Sequence, residues 1–545
     1  MSTDKFGSLA REVVKMKYLH TKGDGIKETW NELAHRVSSE VFKSITKDTE
    51  LSLAVEQLIA QRKFMPGGRY LAAVGRPYHQ TQNCVLFRAE DSREGWADLM
   101  YKSAMSLMSG AGEGAVYSDL RERDAVIKKT GGKASGPCAL MQMVNETGRG
   151  AMSGGNRRAA IWAGLSVHHP DTNEFITMKN WSPEVAAMKA KDFNFPAPMD
   201  MTNISSILDT KFFQMFEKDE SVIRKTYYKI VKQALSTGDP GFSIDAYNNE
   251  GENLRNACTE ITSYDDSDIC NLGSINMARF SSLADFKVAV EQATAFLLAG
   301  TVYSHVPTEK IRQIREKNRR LGLGLMGIHE WLLIRGKSYK EDAELTEWLE
   351  AYEQISTRAA HKYSARWGIS TPVKVRAIAP TGTIGIVAET TTGIEPIFCV
   401  AYKRRYLVEG KKWAFQYVVD PTAQRLIKNG IDPTKIEDAA VLSTDIERRL
   451  AFQSYVQKYV DHGISSTINL PAWGSELNNE DKVKPIGKML MKYLPQLRGV
   501  TFYPDGGRSG QPLVPVTYQT AMKHEGEIIY EQADICDIKG GSCGS

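Results

Sequence analysis

The chain has 545 residues, 42% of them hydrophobic and 25% charged, enough apolar content for a large core or a few domains. Its formal net charge is +4 with both signs mixed along the chain, so no basic tract argues for a nucleic-acid partner. There is no secretory apolar core at the N-terminus and no run of about eighteen apolar residues, which predicts a soluble cytoplasmic protein without a membrane partner. Seven cysteines in so long a chain exclude a disulfide scaffold.

In chain order, the first seventy residues read as mostly helical and polar. Gln82-Asn-Cys-Val-Leu-Phe87 then puts Cys84 on an apolar, strand-like stretch. Gly131-Gly-Lys-Ala-Ser-Gly-Pro137 and Gly154-Gly-Asn-Arg-Arg158 are glycine-rich turns. His168-His169-Pro170-Asp171 contains metal-capable types, but adjacent histidines before a proline make a poor helical ligand pair. No two-residue-spaced cysteine pair and no His-Glu-x-x-His pattern occurs, so no metal site is expected. In Asn256-Ala-Cys-Thr-Glu260 an amide, a thiol and a carboxylate stand two residues apart, and in an extended loop all three would face one ligand. Asp268-Ile-Cys-Asn-Leu-Gly-Ser-Ile-Asn276 carries Cys270 on a second apolar stretch. Two readings stand for Cys84 and Cys270: a redox dithiol across neighbouring strands, or two inert core thiols.

Further along, Leu345, Trp348, Leu349, Tyr352, Ile355 and Ala359 recur at helical spacing, which predicts a helix between about Lys340 and Trp367 stopped by Gly368. Lys374-Val-Arg-Ala-Ile378 predicts a short strand. It runs into Ala379-Pro-Thr-Gly-Thr-Ile384, a strand–turn–helix start suited to an anion. Cys536 and Cys543 lie in a glycine-rich tail, and two thiols on such a tether suit thiol–disulfide exchange at a buried site.

Taken together, the Asn-x-Cys-x-Glu loop, the Cys-Asn-Leu-Gly-Ser-Ile-Asn run, Asn-Cys-Val-Leu, Ala-Pro-Thr-Gly-Thr-Ile-Gly and the terminal cysteine pair stand in one order. This chain resembles the large catalytic subunit of ribonucleotide reductase from about residue 60 to its end. The resemblance implies a ten-stranded α/β barrel (71–525) with Cys258 on a central finger loop, a helical N-terminal region (1–70) and a redox tail (526–545). It also implies roles. Cys258 becomes a thiyl radical, Glu260 takes the 3′-hydroxyl proton and Asn256 binds the ribose. Cys84 and Cys270 deliver two electrons, and Cys536 and Cys543 reduce the resulting disulfide before a thioredoxin- or glutaredoxin-like protein restores them. Two departures are Ala257, where the family often has proline, and Thr259, where a small residue or leucine is usual.

For substrate, the resemblance implies a phosphate cradle at Pro380, Thr381, Gly382 and Thr383, with Asn83, Ser135 and Gly136 lining the pocket. For an allosteric deoxynucleoside triphosphate it implies Asp91, Arg121, Arg157 and Arg158, at the interface of a homodimer. Met65-Pro-Gly-Gly-Arg-Tyr70 arrives early, so no ATP on–off domain is expected. Phe502, in Gly499-Val-Thr-Phe-Tyr-Pro-Asp-Gly506, stands where the first of two radical-conducting tyrosines would be. That favours the adenosylcobalamin branch over a radical delivered by a separate ferritin-like, metal-bearing subunit. The glycyl-radical pattern Arg-x-x-Gly-Tyr is absent from the C-terminus. Two other classes compete: a plain disulfide oxidoreductase, which leaves the Asn/Cys/Glu loop unexplained, and an inactive nucleotide-binding regulator, which loss of a key cysteine would have favoured.

Overall fold

The computed structural model describes residues 6–151, 159–192, 195–218, 220–408, 412–506, 513–524 and 527–530. The chain opens with helices α1 (Ser8–Lys17), α2 (Trp30–Lys43) and α3 (Thr49–Ala60). Helix α2 starts at a full capping box, in which the Thr29 hydroxyl accepts from Glu32 N–H and the Glu32 carboxylate accepts from Thr29 N–H. Its apolar face, Trp30, Leu33, Ala34, Val37 and Val41, is fully buried. The polar reading of this region describes only the other face of its helices.

The strands follow as β1 (Phe64–Pro66), β2 (Cys84–Arg88), β3 (Gly112–Val116), β4 (Ile161–Ser166), β5 (Thr202–Asp209) and β6 (Gly241–Asp245). Then come β7 (Leu254–Arg255), β8 (Thr262–Ser263), β9 (Asp268–Asn276) and β10 (Leu321–Met326). The last are β11 (Ala401–Val408), β12 (Lys412–Val419), β13 (Thr467–Leu470), β14 (Gly499–Pro504), β15 (Leu513–Pro515) and β16 (Ile528–Tyr530). Strands β2 to β6 pair in parallel and in sequence. A second set runs the other way: β9 is parallel to β10, and β13 to β14. The two sets join antiparallel at β2–β9 and β6–β14. Strands β15, β11, β12 and β16 form a separate sheet, and β7 and β8 a lone two-stranded hairpin.

The main sheet has ten strands, as expected, but its ladders do not close it. The predicted strand at 374–378 appears only as isolated bridges, Leu323↔Arg376 and Ile378↔Ile464. The reason is local. The Asp461 carboxylate takes the Val375 and Arg376 amides at 3.0 and 2.7 Å, displacing ladder partners. The segment therefore spans the gap between β10 and the approach to β13 as a seam rather than a ladder.

Strand alternation sorts the core into layers. Val85 and Phe87 face an outer cluster under the helices, while Cys84 and Leu86 face an interior cluster. That interior also takes Val116, Trp162, Ile207, Cys270, Leu272, Ala377 and, from the hairpin, Leu254 and Ile261. The hairpin therefore lies inside the main sheet. The helix predicted near 340–367 is Ala343–Trp367, capped by Asp342 and ended by Gly368 at φ 65°.

Candidate active site

The β7–β8 hairpin carries Asn256–Ile261 at its tip. Two glycines let it approach β3: a Cβ on Gly114 would sit 2.1 Å from the Arg255 carbonyl oxygen, and one on Gly112 would press on Ala257 at 3.3 Å. Gly112 and Gly114 lie two apart on one strand face, so they form a track for the loop. On the far side, Gly463 N–H donates to the Glu260 carbonyl at 2.7 Å, and a Cβ there would meet the carbonyls of Thr259 and Glu260 at 3.2 Å.

The tip is a tight turn rather than the extended loop expected from spacing. Thr259 N–H donates to the Asn256 carbonyl at 3.0 Å, and Thr259 adopts φ 66°. A β-branched residue is strained there, and such strain persists only where the surroundings impose it. Ala257 is buried against β3, so an alanine at this departure from the family pattern still seats the loop.

Asn256, Cys258, Glu260, Cys84 and Cys270 do converge. Cys84 and Cys270 are directly opposite in the β2–β9 register, and Asn83 N–H donates to the Cys270 carbonyl at 3.2 Å. Both are reduced and buried. Desolvation, followed by Glu260, Cys270 and Cys258, pushes the Cys84 thiol well above its ordinary range. Desolvation and then Asp268 do the same for Cys270. Both are therefore held as neutral thiols, poor nucleophiles but sound hydrogen donors.

Cys258 is open to approach by a small molecule. Enough protein surrounds it, however, that desolvation, with the Glu260 charge second, pushes its thiol up too. Glu260 is fully buried, and neither carboxylate oxygen has a hydrogen-bond partner among the described residues. Desolvation raises its carboxyl from 4.5 to about 7, opposed by its own backbone amide and the nearby Asn256 amide. Asn256 is oriented by Ile261 N–H, which donates to its Oδ1 at 3.0 Å, and its amide lies beside Cys84 and Glu260.

The remaining predicted residues lie as follows. Ala377 and Ala379 belong to the interior cluster, so Pro380–Thr383 begins at its rim. Thr381 is left-handed at φ 48°, its hydroxyl accepts from Gly393 N–H at 2.9 Å, and Gly382 faces open space before the short helix Gly382–Ala388. Gly136, at φ 77°, begins the helix Pro137–Gly150 with Asp171 and Arg123 as neighbours, and Ser135 precedes it. Asp91 and Arg121 are joined to each other at 2.9–3.0 Å. Arg157, Arg158, Cys536 and Cys543 lie outside the described residues. His168 bonds Asp209 and His169 bonds the Leu120 carbonyl, and the described residues hold no cluster of three metal-ligating side chains. Sequence reasoning missed Gly112, Gly114 and Gly463. The glycine pair in Gly112-Glu-Gly114 was a visible signal; Gly463 had none.

Residues 82–225, 210–372 and 368–494 match the family described as "Ribonucleotide reductase, barrel domain", and residues 4–79 match its "all-alpha domain". A vitamin B12-dependent ribonucleoside-diphosphate reductase of Thermoplasma acidophilum is 27% identical, over 96% of this chain and 74% of the relative. One from Mycobacterium tuberculosis (strain CDC 1551 / Oshkosh) is 27% identical over 84% and 72%. A putative adenosylcobalamin-dependent ribonucleoside-triphosphate reductase of Mycobacterium phage D29 is 27% identical over 84% and 75%. No helix among the described residues is long and apolar enough to cross a membrane. With matches over most of its length, the chain belongs to the ribonucleotide reductase family and is an oxidoreductase of that type.

Proposed function

We propose that the chain reduces ribonucleotides to 2′-deoxyribonucleotides through a thiyl radical on Cys258, with adenosylcobalamin as radical source. The observation that carries this reading is the opposed pair Cys84 and Cys270 beside an orphaned Glu260 inside one sheet. The cofactor fits this chain's residues. Cys258 is open to approach, so Cys258 and Thr259 at the loop tip are what it would sit against. Phe502 is buried edge-on to Phe242 and offers no phenol for a conducting pair. When bound, the cofactor supplies a carbon radical able to take a thiol hydrogen.

The chain's residues then divide the work. The Cys258 sulfur takes the hydrogen atom from ribose C3′. Glu260 accepts the 3′-hydroxyl proton, and Asn256 Nδ2 holds the ribose. The C2′–O bond breaks and its oxygen leaves as water. Cys84 and Cys270 give up two hydrogen equivalents as their S–S bond forms, Glu260 returns its proton to the 3′-oxygen, and Cys258 returns its hydrogen to C3′. Burial of Cys84 and Cys270, and the protein packed around Cys258, shield the radical from stray donors. Cys536 and Cys543 exchange the disulfide and are restored by a thioredoxin- or glutaredoxin-like dithiol. Thr381, Gly382 and Thr383 take the substrate phosphates, with Asn83, Ser135, Gly136 and Pro380 lining the pocket. Asp91, Arg121, Arg157 and Arg158 take an effector in a homodimer.

The purified chain, assayed with adenosylcobalamin and a dithiol, is expected to form deoxynucleotide, and Cys258→Ser to reduce this to background. Turnover only after a metal-bearing subunit is added would overturn the cofactor assignment.

A further inference from the structure

Below the finger hairpin lies a cavity of about 790 Å³, lined among others by Glu252, Arg320, Lys374 and Arg498. Glu252 is 3% exposed and is the hub of this group. Its Oε2 accepts from the Thr262 hydroxyl at 3.0 Å, from Arg498 Nη2 at 3.3 Å and from Lys374 Nζ, and its Oε1 from Arg320 Nη1 at 3.4 Å. Those cations come from the residue before β10 (Arg320), the seam (Lys374) and the residue before β14 (Arg498). Burial works against ionisation of Glu252, but Lys374, then Arg320 and Arg498, hold its carboxyl below the ordinary range.

The placement of these bonds matters more than their number. Glu252 stands on the incoming arm of the hairpin, just ahead of β7, and Thr262 on the outgoing arm. Arg255 and Thr262 are register partners in the hairpin. The Glu252–Thr262 bond therefore ties the arms together at the base, and the three cations tie the base to the sheet. Thr262 is held a second time, since its N–H donates to Nδ1 of the fully buried His462 at 3.1 Å. The next residue, Gly463, holds the Glu260 carbonyl.

We propose that Glu252, Thr262 and His462 form a positioning clamp that sets where the Cys258 sulfur stands between Cys84 and Glu260. Hydrogen-atom transfer tolerates little error in distance, and a shift of about 1 Å is worth roughly 100-fold in rate. A short hairpin with a strained tip holds such a position only if its base is fixed. The inference rests on reading Cys258 as the radical-bearing cysteine, so its test includes a readout independent of turnover.

Glu252→Ala would take a carboxylate from the buried Arg498 and the half-buried Lys374, leave Arg320 only Asp268, and risk unfolding. Thr262→Val is the sharper variant, because it keeps the shape and deletes only the hydroxyl. In the full chain, alkylation of each cysteine by iodoacetamide is followed by peptide mass spectrometry. Cys138 and Cys399, buried elsewhere, serve as references. Thr262→Val is expected to change the Cys258 labelling rate at least three-fold with the references unchanged, and Thr262→Ser to restore it. In turnover assays kcat falls about 10-fold with KM within two-fold. Unchanged Cys258 labelling overturns the clamp, and so does equal acceleration at all three cysteines. A labelling change in Thr262→Val, beside a wild-type chain that forms no deoxynucleotide, supports the clamp and removes the reductase reading instead.

Discussion

Glu260, the base of the proposed reaction, is a buried side chain that would set a working pH. Its carboxyl titrates near 7 because it is out of water and neither oxygen is hydrogen-bonded. It takes a proton only when ionised, so kcat is expected to climb with pH through about 7 and level off above it. Glu260→Gln should abolish turnover at every pH. A pH–rate profile flat from 6 to 8 would remove Glu260 as the base. The same group carries a stability cost. Between 4.5 and about 7 the folded chain binds more protons than the unfolded one, so stability falls as pH rises through that window, by about 3 kcal/mol in all. Glu260→Gln escapes this loss and should be the more stable protein at pH 8 by urea denaturation.

The finger depends on missing side chains. Gly114→Ala puts a methyl 2.1 Å from a carbonyl oxygen that belongs to the loop, so strand or loop must move. The expected outcome is a destabilisation of about 1–3 kcal/mol and loss of most activity. Gly382→Ala, at a glycine facing open space, is the matched control expected to stay folded. Denaturation midpoints of the two variants check this. The contrast also marks what the sequence could tell. Asn256, Cys258 and Glu260 were readable because their signal is local, and the Ala343–Trp367 helix because its apolar spacing spans many turns. Gly463, His462 and the cations around Glu252 were not, since they lie far away in the chain and each alone is ordinary. A strand was expected at 374–378, but one carboxylate, Asp461, took two of its amides, those of Val375 and Arg376. Propensity does not foresee a side-chain competitor of that kind.

At the scale of the whole molecule, the sheet is two oppositely directed sets of strands, joined by ladders at β2–β9 and β6–β14 and by a seam at 374–378. Hydrogen exchange should find the seam amides less protected than those of β2 to β6, and Asp461→Ala should widen the difference by freeing the Val375 and Arg376 amides. Equal protection throughout would show that the seam behaves as a ladder. The opposed cysteines sit where β2 meets β9, the other kind of join. Once they are linked, the stretch from 84 to 270, a ring of roughly two hundred residues, is closed by a covalent bond, which by chain entropy is worth about 5 kcal/mol. In the proposed cycle, the oxidised chain awaiting its reductant would then be the sturdier form, and one armed for the next substrate the more fragile. Starvation of reducing power would leave the cell a durable reserve of idle enzyme.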